Sequence, residues 1–231
     1  GMIAYSYRIG IESMWMMVGW IFGDLLAWFF VHPRVRQQSD KLDVNTIPAL
    51  IGTRNNDTDR WLIAAAGLLT FVFLGVYAAG QLKAGSTALH ALFEWEMYVG
   101  VLIGAVIVVI YSYAGGIRAD IWTDVAQSLV MLVAMVSLLL TGYLEVGGIQ
   151  ALTDKLADID PSLVRLFPDE LTFGILPFVV GFFFAGFSVI GQPHLMTRLM
   201  AINSVAEIRS ARRYYFLWFV PFFIASVGVG L

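Results

Sequence analysis

The sequence predicts an all-α integral membrane protein with about six transmembrane helices. The chain is 59% hydrophobic and only 13% charged, whereas a soluble domain contains about 25% charged residues. Six stretches reach the length of roughly 20 mostly apolar residues that a membrane-spanning helix needs. These predicted spans cover residues 10–31, 61–82, 97–117, 121–146, 172–194 and 214–231.

The charges of the connections predict how the spans are oriented. Connections 32–60 and 195–213 are rich in arginine or lysine and connection 114–120 carries Arg118, whereas connections 83–96 and 147–171 carry mainly acidic residues. Cytoplasmic loops carry the excess of Lys and Arg. We therefore expect the first three connections in the cytoplasm and the other two outside, which six alternating spans satisfy at once.

Composition excludes several classes of function. The chain has no cysteine, a net charge of −3 and three histidines that lie far apart. No catalytic motif, metal-ligand spacing or phosphate loop is present, so we expect no enzymatic activity, no cofactor and no nucleic-acid partner. The chain lacks the carbonyl filter sequence that a selective ion channel would need, which disfavours a channel. The last apolar run stops at Leu231, and we expect an excerpt truncated at both ends.

One apolar segment, 174–198, is poorly suited to a regular helix. It is interrupted by Pro177, Gly181, Gly186, Gly191 and Pro193. Proline removes a backbone donor and glycine weakens a helix interior. Such an interrupted span indicates the binding region of a secondary transporter, or else a kinked helix that packs through its glycines.

Ionisable residues inside a span are candidates for function because an uncompensated charge in lipid is costly. Glu12 lies about one turn into the first span, where it either serves a site or faces outer water. Asp24 lies deeper, and we expect it to pair with an inner-loop arginine such as Arg118. Asp124, next to Thr123 at the start of the fourth span, offers oxygen ligands for a small cation or caps the helix.

Three uncharged polar residues complete the candidates. Tyr77 and Gln81 lie one turn apart on one face of the second span, and Ser188 lies in the interrupted segment. Each either contacts a solute or forms a hydrogen bond between helices.

Two longer motifs carry a family resemblance. Residues 113–124, Tyr-Ala-Gly-Gly-Ile-Arg-Ala-Asp-Ile-Trp-Thr-Asp, are followed by Gln127, and residues 191–201, Gly-Gln-Pro-His-Leu-Met-Thr-Arg-Leu-Met-Ala, are followed by Ala-Arg-Arg at 211–213. Both resemble the sodium/solute symporter family, and its sodium/proline symporters in particular. The likeness runs over nearly the whole chain.

The resemblance implies an inverted-repeat fold with two repeats of five helices. The chain, residues 1–231, would then be a partial transmembrane domain that covers core helices two to seven. Segment 174–198 would fall on core helix six, one of the two unwound helices that flank the substrate in this family. The remaining helices of the parent chain would be needed for activity.

The resemblance also implies roles for individual residues. Asp124, with Thr123 beside it, would bind sodium or line its pathway. Glu12 and Tyr77, with Gln81 one turn further on, would contact the substrate. The unwound part of core helix six would supply four more substrate residues, namely Ala185, Phe187, Ser188 and Val189. Proline carriers have Trp and Tyr at the positions of Ala185 and Val189, which disfavours proline itself.

The function implied is sodium-coupled symport of a small organic solute by alternating access in a bacterial plasma membrane. The solute would be an amino acid such as proline, or another small carboxylate or a sugar. Two alternatives stay open from the sequence. A proton could replace sodium as the coupling ion, and the membrane domain could serve as the sensor of a signalling kinase instead of a transporter.

Overall fold

Helices form nearly the whole chain in the computed structural model, which describes residues 1–54, 57–168, 170–171 and 173–231. The predicted all-α class is confirmed. Parts of the predicted loops 32–60 and 147–171, and the first residue of the predicted span 172–194, lie outside the described residues.

Ten α-helices follow one another along the described residues. They are α1 (Met2–Ile9), α2 (Met14–Leu26), α3 (His32–Leu42), α4 (Ile47–Gly52), α5 (Arg60–Phe93), α6 (Met97–Val146), α7 (Ile149–Ile159), α8 (Ile175–Phe187), α9 (Pro193–Met200) and α10 (Val205–Gly230). Short 3-10 helices occupy Gly10–Ser13, Pro161–Val164 and Ser188–Gly191, and a π-helical turn occupies Ala27–Val31. Strands β1 (Thr53–Arg54) and β2 (Asp57–Thr58) pair antiparallel.

The helices form two compact units. Unit 1 comprises residues 1–50 and 131–231, and unit 2 comprises residues 51–130. Among the described residues, four helices are long and apolar enough to cross a membrane, or five when the bent pair of α8 and α9 counts as one span.

Two predicted connections are helical in the structure. The spans 97–117 and 121–146 both lie in α6, a 50-residue helix in which only Gly116 (φ 54, ψ −151) has non-helical angles. The predicted turn 114–120 corresponds to a kink at Gly116 that divides α6 into two helical parts, and the other residues of the turn stay helical because glycine alone absorbs the break. The predicted loop 83–96 shortens likewise, because α5 continues without a proline to Phe93.

Unit 2 is built mainly from α5 and the first part of α6. The hydroxyl of Ser86, which is buried, donates to the carbonyl of Met97. A Cβ on Gly100 would approach the Cα of Ser86 to 2.9 Å, so glycine allows the two helices to meet closely. Most apolar side chains of these helices are exposed, for example Phe71 and Val109. Such surfaces suit contact with lipid or with further helices.

The N-terminus of α5 is capped by Asp59. Its Oδ1 accepts hydrogen bonds from the backbone N–H groups of Trp61 and Leu62, both at 3.0 Å. We expect Asp59→Ala to lower the free energy of unfolding by about 1 kcal/mol, because two helix N–H groups lose their acceptor. Chemical unfolding of the full-length protein in detergent measures this loss. Asp57→Ala, an exposed acid before the helix, is the control, and equal losses in both variants would contradict the capping role.

Unit 1 is organised around a close contact between α2 and α8. Gly19 lies against Phe182 and Phe183, and Gly23 lies against Phe183 and Phe187. Residues further along α2 contact residues further along α8, so the two helices run parallel. Close approach through glycines four residues apart is a known means of packing membrane helices.

The remaining helices of unit 1 cover the two ends of this pair. Helix α10 runs antiparallel to α1 and α2, since Gly230 lies against Ile3 and Ser6 whereas Tyr215 reaches Asp24. At the other end an apolar cluster joins α9 and α10 to the π-helical turn. Its buried members are Trp28, Met196, Leu199 and Ile208.

Two short helices lie in the connections. Helix α4 begins after Thr46, whose Oγ1 accepts from the N–H of Ala49 at 3.3 Å, and it ends at Gly52. Helix α7 lies in the connection 147–171. After α7, the N–H of Ser162 donates to Asp160 at 2.8 Å, which holds the pKa of that carboxyl below its usual range.

Candidate functional site

The interrupted segment forms a broken helix. Helix α8 passes into the 3-10 turn Ser188–Gly191, Gln192 is extended (φ −98, ψ 102), and α9 begins at Pro193 with a bend of 59°. Proline is favourable at the first turn of a helix but cannot continue the preceding one. The predicted break is therefore confirmed, and it lies at the Gly191–Pro193 end of the segment.

The four predicted substrate residues of this segment differ in local structure. Ser188 and Val189 lie in the 3-10 turn, whereas Ala185 and Phe187 lie in the regular part of α8. The expectation that all four occupy the unwound part is thus corrected, because no proline follows until Pro193. The Ser188 hydroxyl donates to the carbonyl of Ala185 at 2.5 Å.

Glu12 lies at a second helix interruption that the sequence analysis did not predict. Gly10 adopts a positive φ of 76° and separates α1 from the 3-10 turn that contains Glu12. A Cβ on Gly10 would approach the Cα of Leu163 to 2.6 Å, so glycine also admits the connection after α7. The Nε1–H of Trp15 donates to the carbonyl of Leu166 at 2.8 Å, which holds the same connection against α2.

The other four predicted site residues belong to unit 2. Tyr77 and Gln81 lie one turn apart on regular α5, and the Tyr77 side chain is half exposed. Thr123 and Asp124 are adjacent and half-buried on α6. The Thr123 hydroxyl donates to the carbonyl of Ala119 at 2.5 Å, which leaves its oxygen lone pairs free to face a cation.

In unit 1, the buried Asp24 has a different partner from the one that the sequence predicted. Asp24 is fully buried, and its Oδ2 accepts a hydrogen bond from the Tyr215 hydroxyl at 2.7 Å. The partner is therefore a neutral hydroxyl from α10, whereas the sequence predicted an arginine such as Arg118. Sequence separation hid this pair, because the two residues lie 191 positions apart.

A cavity of about 530 Å³ lies elsewhere in unit 1. It is lined by the π-helical turn, α3 and the start of α10, and Arg209 and Arg212 contribute the charged groups. The guanidinium of Arg212 lies 3.7 Å from the ring centroid of Phe29. None of the predicted substrate residues lines this cavity.

Long apolar helices, a broken helix and polar side chains at helix interruptions define an α-helical integral membrane protein of the secondary-transporter type. The chain belongs to the Sodium:solute symporter family, whose sequence model matches residues 1–231. Proteins of this family are transporters and not enzymes.

Curated relatives match the chain along its whole length. It is 30% identical over 232 residues to Sodium/proline symporter 2 of Staphylococcus saprophyticus, covering 100% of this chain and 44% of that protein. It is 28% identical over 232 residues to the high-affinity proline transporter PutP of Bacillus subtilis, covering 100% of this chain and 48% of that protein. The chain thus spans less than half the length of these relatives.

Proposed function

We propose that the protein containing this chain performs sodium-coupled symport of a small organic solute across a bacterial plasma membrane. The observation that carries the proposal is the broken helix α8–α9 in a chain that matches a symporter family from end to end. A helix interrupted inside the membrane frees backbone groups that can hold a solute or an ion.

Six membrane crossings are part of this proposal. Two parallel helices must be separated by an odd number of crossings, and α2 runs parallel to α8. Helix α5 supplies one crossing, and α6 supplies two if the chain reverses at Gly116. A straight helix of 50 residues would be roughly 75 Å long, more than twice the roughly 30 Å of the hydrocarbon core, which supports two crossings.

The charge of each connection suggests its side of the membrane. The relatives and the residues at positions 185 and 189 suggest which solutes to test. Connections 32–60 and 195–213 are proposed to be cytoplasmic because they hold the excess of arginine and lysine, and 114–120 because it carries Arg118 and alternates with the two acidic connections. The named relatives are proline transporters, so proline is the first solute to test. Small amino acids, carboxylates and sugars follow, because small apolar residues occupy positions 185 and 189.

The proposed roles divide between the two groups of residues. Sodium would be held or passed by the oxygens of Thr123 and Asp124. The solute would contact Glu12, Tyr77 and Gln81, together with the broken-helix residues Ala185, Phe187, Ser188 and Val189. Sodium drives transport only if it binds the outward-open and inward-open states with different affinity, because coupling energy is a difference in binding energy.

Solute uptake by the full-length protein in proteoliposomes tests the proposal. We expect an inward sodium gradient to raise the accumulation of one solute of the panel by roughly tenfold or more relative to an equal potassium gradient. Protein-free liposomes are the control for leakage. Sodium-dependent binding without accumulation would contradict symport and favour a sensor.

A further inference from the structure

Asp24 is the most completely enclosed acid in the described part of the chain. Its side chain has no exposed surface, and its Oδ2 accepts from the Tyr215 hydroxyl at 2.7 Å. Its Oδ1 is buried and has no hydrogen-bond partner among the described residues. One carboxyl oxygen is thus satisfied by a neutral group and the other by none.

The elements around Asp24 supply no compensating positive charge. Helix α8 and the 3-10 turn Ser188–Gly191 contain no ionisable residue. The turn before α2 contributes only Glu12, three helical turns away. On α10, Arg212 stacks on Phe29 and Arg213 is exposed. Within the residues that the structure describes, no ion pair involves Asp24.

The same helix face continues toward a buried histidine. Trp28 contacts the ring of Tyr215 at a centroid distance of 5.1 Å and the ring of His32 at 4.8 Å. Both ring nitrogens of His32 are buried without a partner among the described residues. An imidazolium there would also lack an acceptor, so His32 gives Asp24 no cation to pair with.

An ionised carboxylate in these surroundings is unfavourable. Removing a charge from water costs more than one neutral hydrogen bond returns, and a carboxyl group in that position takes up a proton instead. A hard metal cation would need about six oxygen ligands, whereas a single oxygen, Oδ1, is unpartnered. A proton needs only that one atom.

We propose that Asp24 and Tyr215 form a proton-binding site between α2 and α10. With the two helices packed, the carboxyl is neutral and its carbonyl oxygen accepts from the Tyr215 hydroxyl. When the helices separate, water reaches the carboxyl and the proton passes to water; closing takes a proton back. The site goes beyond the proposed sodium-coupled function, since it uses neither the sodium residues nor the solute residues.

Infrared difference spectroscopy of the full-length protein tests whether Asp24 is protonated, and the measurement does not require transport activity. We expect the C=O stretching band of a protonated carboxyl at neutral pH, and its complete loss in Asp24→Asn. Asp158→Asn is the matched control, because it makes the same change at an exposed acid of α7. An unchanged set of carboxyl bands in Asp24→Asn overturns the proposal.

Tyr215→Phe provides an independent variant in case Asp24→Asn does not fold. It removes only the donated hydrogen bond, so the carboxyl band is expected to remain and to shift in frequency. A band that does not shift overturns the pairing with Tyr215. Because spectra are recorded without solute or sodium, their outcome is separate from that of the uptake assay.

Discussion

Gly186→Ala is expected to be among the most destabilising single-atom changes in the chain. A Cβ at this position would lie 2.5 Å from the Cα and 2.7 Å from the carbonyl carbon of Trp20. These are backbone atoms of α2, so no side-chain rotation can relieve the contact, and the two helices must move apart. We expect the free energy of unfolding to fall by about 1–3 kcal/mol or more.

Gly181→Ala is the matched control because it lies in the same helix. A Cβ at Gly181 meets nothing within 4 Å among the described residues. Alanine lowers the entropy of the unfolded chain, so this variant is expected to be unchanged or more stable by about 0.5–1 kcal/mol. Thermal unfolding of both full-length variants in detergent makes the comparison. Equal stability of the two variants would show that α2 and α8 do not meet at Gly186.

Asp124→Asn is expected to have the largest effect on function. If the carboxylate binds sodium, the amide keeps the shape but loses the charge, and contacts to charged groups are worth about 1.5–3 kcal/mol. The sodium concentration for half-maximal uptake should therefore rise roughly 10- to 100-fold. Sodium titration of uptake in proteoliposomes measures this change.

Asp120→Asn controls for the general loss of an acid from this part of α6. Asp120 lies one turn before Asp124 and is also half-buried. Its variant is expected to keep the sodium dependence of the original protein. If Asp124→Asn leaves the sodium dependence unchanged, Asp124 does not bind sodium.

The fold class followed from the sequence because it depends on composition and local patterns. Apolar length predicts helices in a membrane, and the glycines and prolines of segment 174–198 predict that the fifth span is interrupted. Such features are decided by neighbours along the chain.

Contacts between distant residues were not predictable in this way. The contact of α2 with α8 depends on Gly19 and Gly23 facing a second helix, although the four-residue spacing of these glycines was a usable signal. The hydrogen bond from Tyr215 to Asp24 had no such signal. At Gly116 the glycine pair predicted a longer turn, whereas the break in the structure is confined to Gly116 itself.

The sequence predicted which residues are candidates for the site, but only part of how they are arranged in space. Motif resemblance selects Thr123 and Asp124 by type, and the structure adds that the Thr123 hydroxyl proton is already engaged by Ala119. The interruption at Gly10 beside Glu12 depends on the packing of Leu163 against it. Packing of that kind is set by tertiary structure and leaves no local pattern.

The number of residues in the π-helical turn Ala27–Val31, and not side-chain chemistry, decides which face α3 turns toward its neighbours. A π turn holds about one residue more than an α turn, and one residue corresponds to a rotation of about 100°. Deleting a single residue there would turn Val35 and Ser39 away from their present neighbours while leaving every side chain of α3 intact. At this position an insertion or deletion changes the structure more than most substitutions do.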